Sequence, residues 1–463
     1  MGLARASMRA RVALAAAMGG IVAIASAFLP VGDPDAFWHL ALGREVLASG
    51  PPHIEAYSWT AANTPVQSDQ WLGQLVLALA YESFGWKGVA MVRALAGGAT
   101  IALTAFVALG ERARPLVAIL ATVPALLLLR GVWTERPQLL ALVAFAAVVV
   151  LLRAALRGQA RALWTCVPLF LVWANVHGSY ALGLAMLAPV ALWLRRRDAL
   201  LALAASAIAT LLTPAGPGAL TAPAEHFLRP PRYIQEWAVP ELITPAGLVL
   251  AVTLAAVLVT ALHGRAGGRE ALILVPVAFV ALTAARHAAF LGIAAAPFLA
   301  AHGPGALRGI GENVGIRQLA FGPAGTSRIV APVSVAIAVL SIAGTAIVAP
   351  TQPDLRAYPV AALPALRAGP GLLNEYDWGG FLIWYAPATK VFIDGRLSPY
   401  VPSVVDDYTT VIEAHPGWRE TITRLGVRQL LVRPDRALAV RARELGWREA
   451  AAGPGFVLLD VPR

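Results

Sequence analysis

Residues 133–161 read WTERPQLLALVAFAAVVVLLRAALRGQAR, and the fold follows from how this stretch is built. A polar group, Trp133-Thr134-Glu135-Arg136-Pro137, precedes an apolar core over 137–152. Arg153, Arg157 and Arg161 follow it. An apolar run bounded by charges on this scale fits one bilayer crossing, for which about 17–25 residues are needed and fewer where neighbouring helices help. Arginine concentrated at one end marks that end as cytoplasmic.

The same pattern repeats outward in both directions. Apolar cores lie near 11–30, 88–109, 115–129, 137–152, 163–175, 180–194, 199–213, 243–262, 271–285, 288–301 and 329–349. The expectation is a polytopic α-helical membrane protein with about eleven spans. Its 463 residues are 58% hydrophobic and 14% charged, with mean hydropathy +0.67. An average soluble domain is nearer about half apolar and a quarter charged. The net charge of +11 does not indicate nucleic acid, because the arginines sit at the ends of apolar runs rather than in one aromatic-laced stripe. The single cysteine, Cys166, precludes an intrachain disulfide and a cysteine metal site.

Alternate loops are basic: Arg112 and Arg114; Arg153, Arg157 and Arg161; Arg195 to Arg197; Arg265 and Arg269; Arg308, Arg317 and Arg328. With Arg5, Arg9 and Arg11 this orients the N-terminus toward the cytoplasm and the C-terminus outside. The arginine-rich start and Ala25-Ser26-Ala27 also resemble a signal peptide, but such triplets are common in so alanine-rich a chain. Two outer segments are more than loops. Within 31–87, helical spacing over 35–47 and 70–84 predicts helices along the interface. The tail, 351–463, has soluble composition; 390–394, 428–432 and 455–459 read as strands, and 403–414, 416–425 and 436–446 as helices. The expected division is therefore 1–350, transmembrane, and 351–463, a small extracytoplasmic α/β domain.

Polar clusters gather on the outer side of this topology. In Asp33-Pro34-Asp35-Ala36-Phe37-Trp38-His39, a helix starting after Pro34 puts Asp35 and His39 on one face, with Asp33 as cap. The pair reads either as a general base or metal-binding site, or as an N-cap with an interfacial Trp belt. Glu135 suits a helix start, whereas Arg136 opposes the positive-inside bias and fits either a phosphate or snorkelling. Asn175 and His177 end an apolar run, where polar groups need partners. Arg232, Glu236 and Trp237 lie in one outer loop, read as a docking lid or a solvated surface, and Arg286-His287 begin another span. In the tail, Asp394 and Arg396 flank Gly395 at a predicted strand end, as a site or as a buried pair holding the turn. Gly379-Gly380 permits a tight turn after a polar run. Acid, imidazole and guanidinium on one side point to a polar chamber at the outer membrane boundary. Walker A, HExxH, GxSxG and dinucleotide signatures are absent, which leaves an ATP-driven transporter or a soluble-type hydrolase without support.

An Asp-x-Asp motif after a first span resembles the GT-C superfamily of membrane glycosyltransferases, which includes oligosaccharyltransferase catalytic subunits, protein mannosyltransferases and aminoarabinose transferases. The blocks DPDAFWHLALG, ERPQLL, WANVHGSY and VFIDGR also look like those of bacterial membrane proteins placed beside that superfamily. The resemblance implies transfer of a sugar from a polyprenyl-phosphate carrier to an extracytoplasmic acceptor. It implies Asp35 as base with Asp33 as partner, or the two as ligands of Mn²⁺ or Mg²⁺. Arg136, Arg286 and Arg232 would neutralise the departing phosphate, and His39 and His177 would orient the donor. Glu135, Asn175, Glu236, His287, Asp394 and Arg396 complete the expected substrate-binding set. The acceptor motif of oligosaccharyltransferases and the acidic loop of the mannosyltransferases are missing, leaving acceptor and metal open. The rival expectations are a transporter or flippase of a lipid-linked or anionic substrate, which would place polar residues deep in the cytoplasmic half of its spans, and a non-catalytic assembly subunit.

Overall fold

The computed structural model describes residues 8–111, 114–219, 221, 235–263, 267–313, 329–396 and 398–462. The chain divides into two compact units, Met1–Leu29 with Ala90–Pro350, and Pro30–Val89 with Thr351–Arg463. The second unit thus combines the segment that follows α1 (Met8–Ala27) in sequence with the tail.

The first unit is helical. It contains α1 (Met8–Ala27), the later part of α3 (Trp71–Leu109), α4 (Pro115–Leu129), α5 (Pro137–Leu156), α6 (Cys166–Val176), α7 (Tyr180–Leu194), α8 (Arg197–Ala209), α9 (Pro245–His263), α10 (Ala271–Ala281), α11 (Ala288–Asn313) and α12 (Val330–Val348). Proline at the first turn starts α4 and α5, where its missing N–H costs nothing. Each apolar core read from the sequence falls on one of these helices. Among the described residues, seven helices are long and apolar enough to cross a membrane: 8–27, 71–109, 115–132, 137–156, 245–263, 285–308 and 330–348. The cores at 163–175, 180–194, 199–213 and 271–285 fall on shorter helices.

Small residues let these helices approach closely, as packing within a bilayer requires. On α1, a Cβ at Gly19 would overlap the Gly98 carbonyl of α3, and one at Gly20 would press on Ala338 and Ser341 of α12. Ser334, Ala338, Ser341 and Thr345 form the buried stripe of α12. At the ends the sequence assigns to the cytoplasm, buried Arg153 of α5 pairs with Glu111 and Glu270.

The second unit contains α2 (Pro34–Ser49), the first part of α3, and the tail. Helix α3 kinks at Gly85, whose φ of 61° is a backbone state favouring glycine. The tail carries β1 (Leu372–Asn374), α13 (Gly379–Tyr385), α14 (Pro402–Ile412), α15 (Trp418–Leu425), β2 (Gln429–Val432), α16 (Ala437–Glu444), β3 (Glu449–Gly453) and β4 (Phe456–Asp460). The sheet order is β1-β2-β4-β3, with β1 parallel to β2 and the other pairs antiparallel. Leu373, Leu430, Val432, Val457 and Leu459 form its core with Phe392, Val411, Ile412, Leu438 and Ala61, the last from the first-loop segment.

The tail departs from the sequence reading in two places. Residues 390–394 do not form a named strand; Val391 makes one bridge to Ser58, while Phe392 is held by the Asn374 side chain. Gly379-Gly380 is not a turn but the first residues of α13, and neither has room for a side chain. A Cβ on Gly379 would overlap Asp394, and one on Gly380 would overlap the Pro34 carbonyl.

Candidate functional site

Within the second unit, the Asp-Pro-Asp motif builds the start of α2. Asp33 Oδ1 accepts the Asp35 N–H at 2.9 Å, and Pro34 fills the first turn. Asp33 is therefore the helix cap, and Asp35 is carried on a fixed first turn beside the positive end of the helix dipole. Trp38, one turn on, donates its indole N–H to Asp35 Oδ1 at 2.9 Å. Gly395 of the tail lies against that same oxygen, where any Cβ would overlap it. Asn374 fixes this part of the tail by donating to the Ile393 carbonyl and accepting from the Phe392 N–H, both at 2.8 Å. Asp35 stays partly exposed. His39 follows one turn later on the same helix. It is buried, its ring lies 3.5 Å from that of Trp38, and its Nδ1 is 3.4 Å from Gln74 Nε2.

Asp394 and Arg396 belong to a buried clamp. Arg396 Nη1 and Nη2 fork onto Glu55 at 2.6 and 2.9 Å, while Nε and Nη2 reach Asp394 at 2.8 and 2.7 Å. Tyr400 donates to Asp394 at 2.6 Å. Burial works against the Arg396 cation, but Asp394, and after it Tyr400 and Glu55, raise its pKa well above the usual guanidinium value. Burial and then Asp394 raise the Tyr400 phenol well above its own. The clamp joins the first-loop segment to the tail through charge-assisted bonds.

Within the first unit, Arg136 and Arg286 converge on one carboxylate. Arg136 Nη1 lies 3.2 Å from both Glu236 oxygens, and Arg286 Nη1 donates to Glu236 Oε1 at 2.9 Å. Arg286 is steadied independently. Its Nη2 donates to Gln138 Oε1 at 2.9 Å, and its guanidinium lies 4.9 Å from the Trp237 ring centroid. His287 stacks edge-on against Trp237 and reaches Thr283 through Nδ1 at 3.2 Å. Two guanidiniums and one carboxylate leave a net positive cluster, suited to an anion.

His177, just past α6, accepts the Ser179 N–H at Nδ1 (3.1 Å), which leaves its proton on Nε2. Burial, and then Arg286 and His287, push its pKa down to about 3, so it is a neutral donor at physiological pH. Asn175 is engaged with the Leu171 and Leu212 carbonyls at 2.9 and 3.0 Å. Glu135 is buried against Arg93, which also donates to the Ser26 and Leu29 carbonyls at 3.1 and 2.7 Å. Glu135 thus ties α5 to α3 and the end of α1. Arg232 lies outside the described residues.

Sequence reasoning missed Arg93, Gln138 and Glu55, and it missed the approach of Gly395 to Asp35. A charge inside an apolar run is a signal in itself, and Arg93 carried it. The others show no local pattern.

Asp33 and Asp35 supply two carboxylates, and each gives one oxygen to a fixed N–H. Among the described residues no group of three or more His, Cys, Asp or Glu side chains is arranged to hold a metal. The pair does not by itself fit a divalent-cation site.

No family model matches the chain, and no curated protein sequence does. Solved structures do. An Archaeoglobus fulgidus oligosaccharyltransferase tethered to an acceptor peptide matches with a TM-score of 0.54 and 13% identity, over 92% of this chain and 69% of that one. ArnT from Cupriavidus metallidurans bound to undecaprenyl phosphate matches with a TM-score of 0.51 and 15% identity, over 97% of this chain and 96% of that one. At such identities the likeness is one of fold: this is a polytopic α-helical membrane protein with the fold of the GT-C membrane glycosyltransferases.

Proposed function

We propose that the chain is a glycosyltransferase that moves a sugar from a polyprenyl-phosphate carrier to an acceptor outside the cytoplasm of a bacterial inner membrane, with its N-terminus cytoplasmic and its C-terminal unit extracytoplasmic. The observation that carries this reading is the convergence of Arg136 and Arg286 on one carboxylate, that of Glu236, in a fold like that of ArnT bound to undecaprenyl phosphate.

The chemistry follows from charge. A carboxylate, Asp35, takes the proton of the acceptor hydroxyl as the acceptor oxygen bonds to the anomeric carbon. The bond from that carbon to the phosphate oxygen breaks, and its electron pair leaves with the phosphate. The carrier phosphate passes from a diester with one negative charge to a monoester approaching two. Arg136 and Arg286 meet that growing charge, with Arg232 as a further cation, and preorganised cations are worth most where charge develops. The His177 Nε2–H donates to the donor, and His287 holds Trp237 beneath Arg286. Asp33 fixes the first turn of α2, and His39 backs Trp38. Asp394, Arg396, Glu135 and Asn175 act on the substrate only through the elements they hold in place.

The test is to incubate the purified chain in detergent with a panel of polyprenyl-phosphate sugars and an acceptor extract, following release of polyprenyl phosphate by mass spectrometry. Release by the wild type that is lost in Arg286→Gln is expected. Saturable lipid binding without release from any donor would favour a transporter.

A further inference from the structure

The anion seat already has an occupant. Glu236 places one carboxylate between Arg136 and Arg286, where the proposed function puts a phosphate. The two arginine side chains are 19% and 12% exposed and Glu236 is 34% exposed, so the carboxylate is the most solvent-accessible of the three. Arg286 does not depend on Glu236 for its position. Gln138 holds its second nitrogen and Trp237 its face, two contacts made by side chains other than that of Glu236. The charges also matter. Of these three side chains two are cationic and one is anionic, so moving the carboxylate away raises their summed charge from one to two, the charge of a phosphate monoester.

We propose that Glu236 is an affinity-setting residue of the phosphate seat, an internal competitor whose carboxylate must yield before a polyprenyl phosphate can bind both arginines. The inference rests on the reading of Arg136 and Arg286 as that seat. A competitor weakens ligand binding by the fraction of time it holds the site. It also gives a released polyprenyl phosphate a means of leaving, since the carboxylate retakes the arginines. The opposite role, a positioning residue that holds the arginines in place for the lipid, predicts an effect of opposite sign.

The experiment measures the Kd of the full chain for undecaprenyl phosphate in detergent, with undecaprenol as the uncharged control. The proteins are the wild type, Glu236→Gln, Arg136→Gln and Arg286→Gln, each checked by melting temperature. If Glu236 occupies the seat about nine-tenths of the time, Glu236→Gln binds undecaprenyl phosphate about ten-fold more tightly, with undecaprenol unaffected. Both arginine variants bind it more weakly. Unchanged or weaker binding by Glu236→Gln, with the arginine variants still impaired, overturns the competitor and leaves the seat standing. Wild-type affinity in both arginine variants overturns the seat, and the competitor with it.

Discussion

Replacing Arg396 with methionine should cost the second unit much of its stability, and the size of the loss can be worked from the clamp. Arg396 gives four side-chain hydrogen bonds of 2.6–2.9 Å to Glu55 and Asp394. The side chains are 7%, 1% and 0% exposed. Methionine fills the volume but leaves two buried carboxylates without their cation. Asp394 retains Tyr400 and a backbone N–H, and Glu55 retains the N–H groups of Tyr57 and Ser58, so the carboxylates are not stripped bare. Removing one partner of a buried ion pair costs about 3–5 kcal/mol, and the remaining donors keep the estimate within that range rather than doubling it. For a unit of this size, a loss of that order lowers the melting temperature by about 10 °C. Trp59, Trp418 and Trp447 pack on the core of this unit, so tryptophan fluorescence during thermal unfolding reports its transition. A double variant with Glu55→Gln should recover part of the loss, because it removes one of the orphaned charges. If Arg396→Met melts within about 2 °C of the wild type and instead loses lipid binding or turnover, the clamp is not structural and Arg396 contacts substrate.

Two further outcomes follow from the geometry. Gly395→Ala adds a Cβ that overlaps Asp35 Oδ1 and lies 3.1 Å from Trp38 Nε1, so Asp35 must move. Turnover should fall about 100-fold with undecaprenyl phosphate binding unchanged, as kinetics and a binding titration would show. His177 is held neutral, its pKa lowered to about 3 from an ordinary value of 6.5. The unfolded chain therefore takes up a proton that the folded chain refuses, and the stability tied to His177 is full above about pH 6.5 and declines as pH falls toward 3. Melting temperatures across pH 4–8 should show this decline in the wild type and a smaller one in His177→Asn, while turnover shows no limb belonging to His177.

The sequence made most of the membrane unit legible because hydrophobic runs and arginine spacing are local signals, and the helices follow them. The Asp33-Pro34-Asp35 cap was equally readable, since a cap needs only its own neighbours. Pairings across the chain were not. Nothing near Gly395 says that its missing side chain makes room for Asp35, 360 positions earlier. Nothing near Arg396 names Glu55. Strand β1 is only three residues long, and β3, Glu449-Ala450-Ala451-Ala452-Gly453, has an alanine content that favours helix; both exist because a neighbouring strand completes their hydrogen bonds. The predicted strand at 390–394 is apolar because Val391, Phe392 and Ile393 are buried, not because a ladder runs along it.

The most direct test of the account is the role of Asp35. The wild type and Asp35→Asn, purified in parallel, are given a polyprenyl-phosphate sugar that the wild type turns over, and released polyprenyl phosphate is counted by mass spectrometry. Loss of the acceptor's base should slow release by about 10²–10⁴-fold, with affinity for undecaprenyl phosphate unchanged. Full turnover by Asp35→Asn would contradict the account.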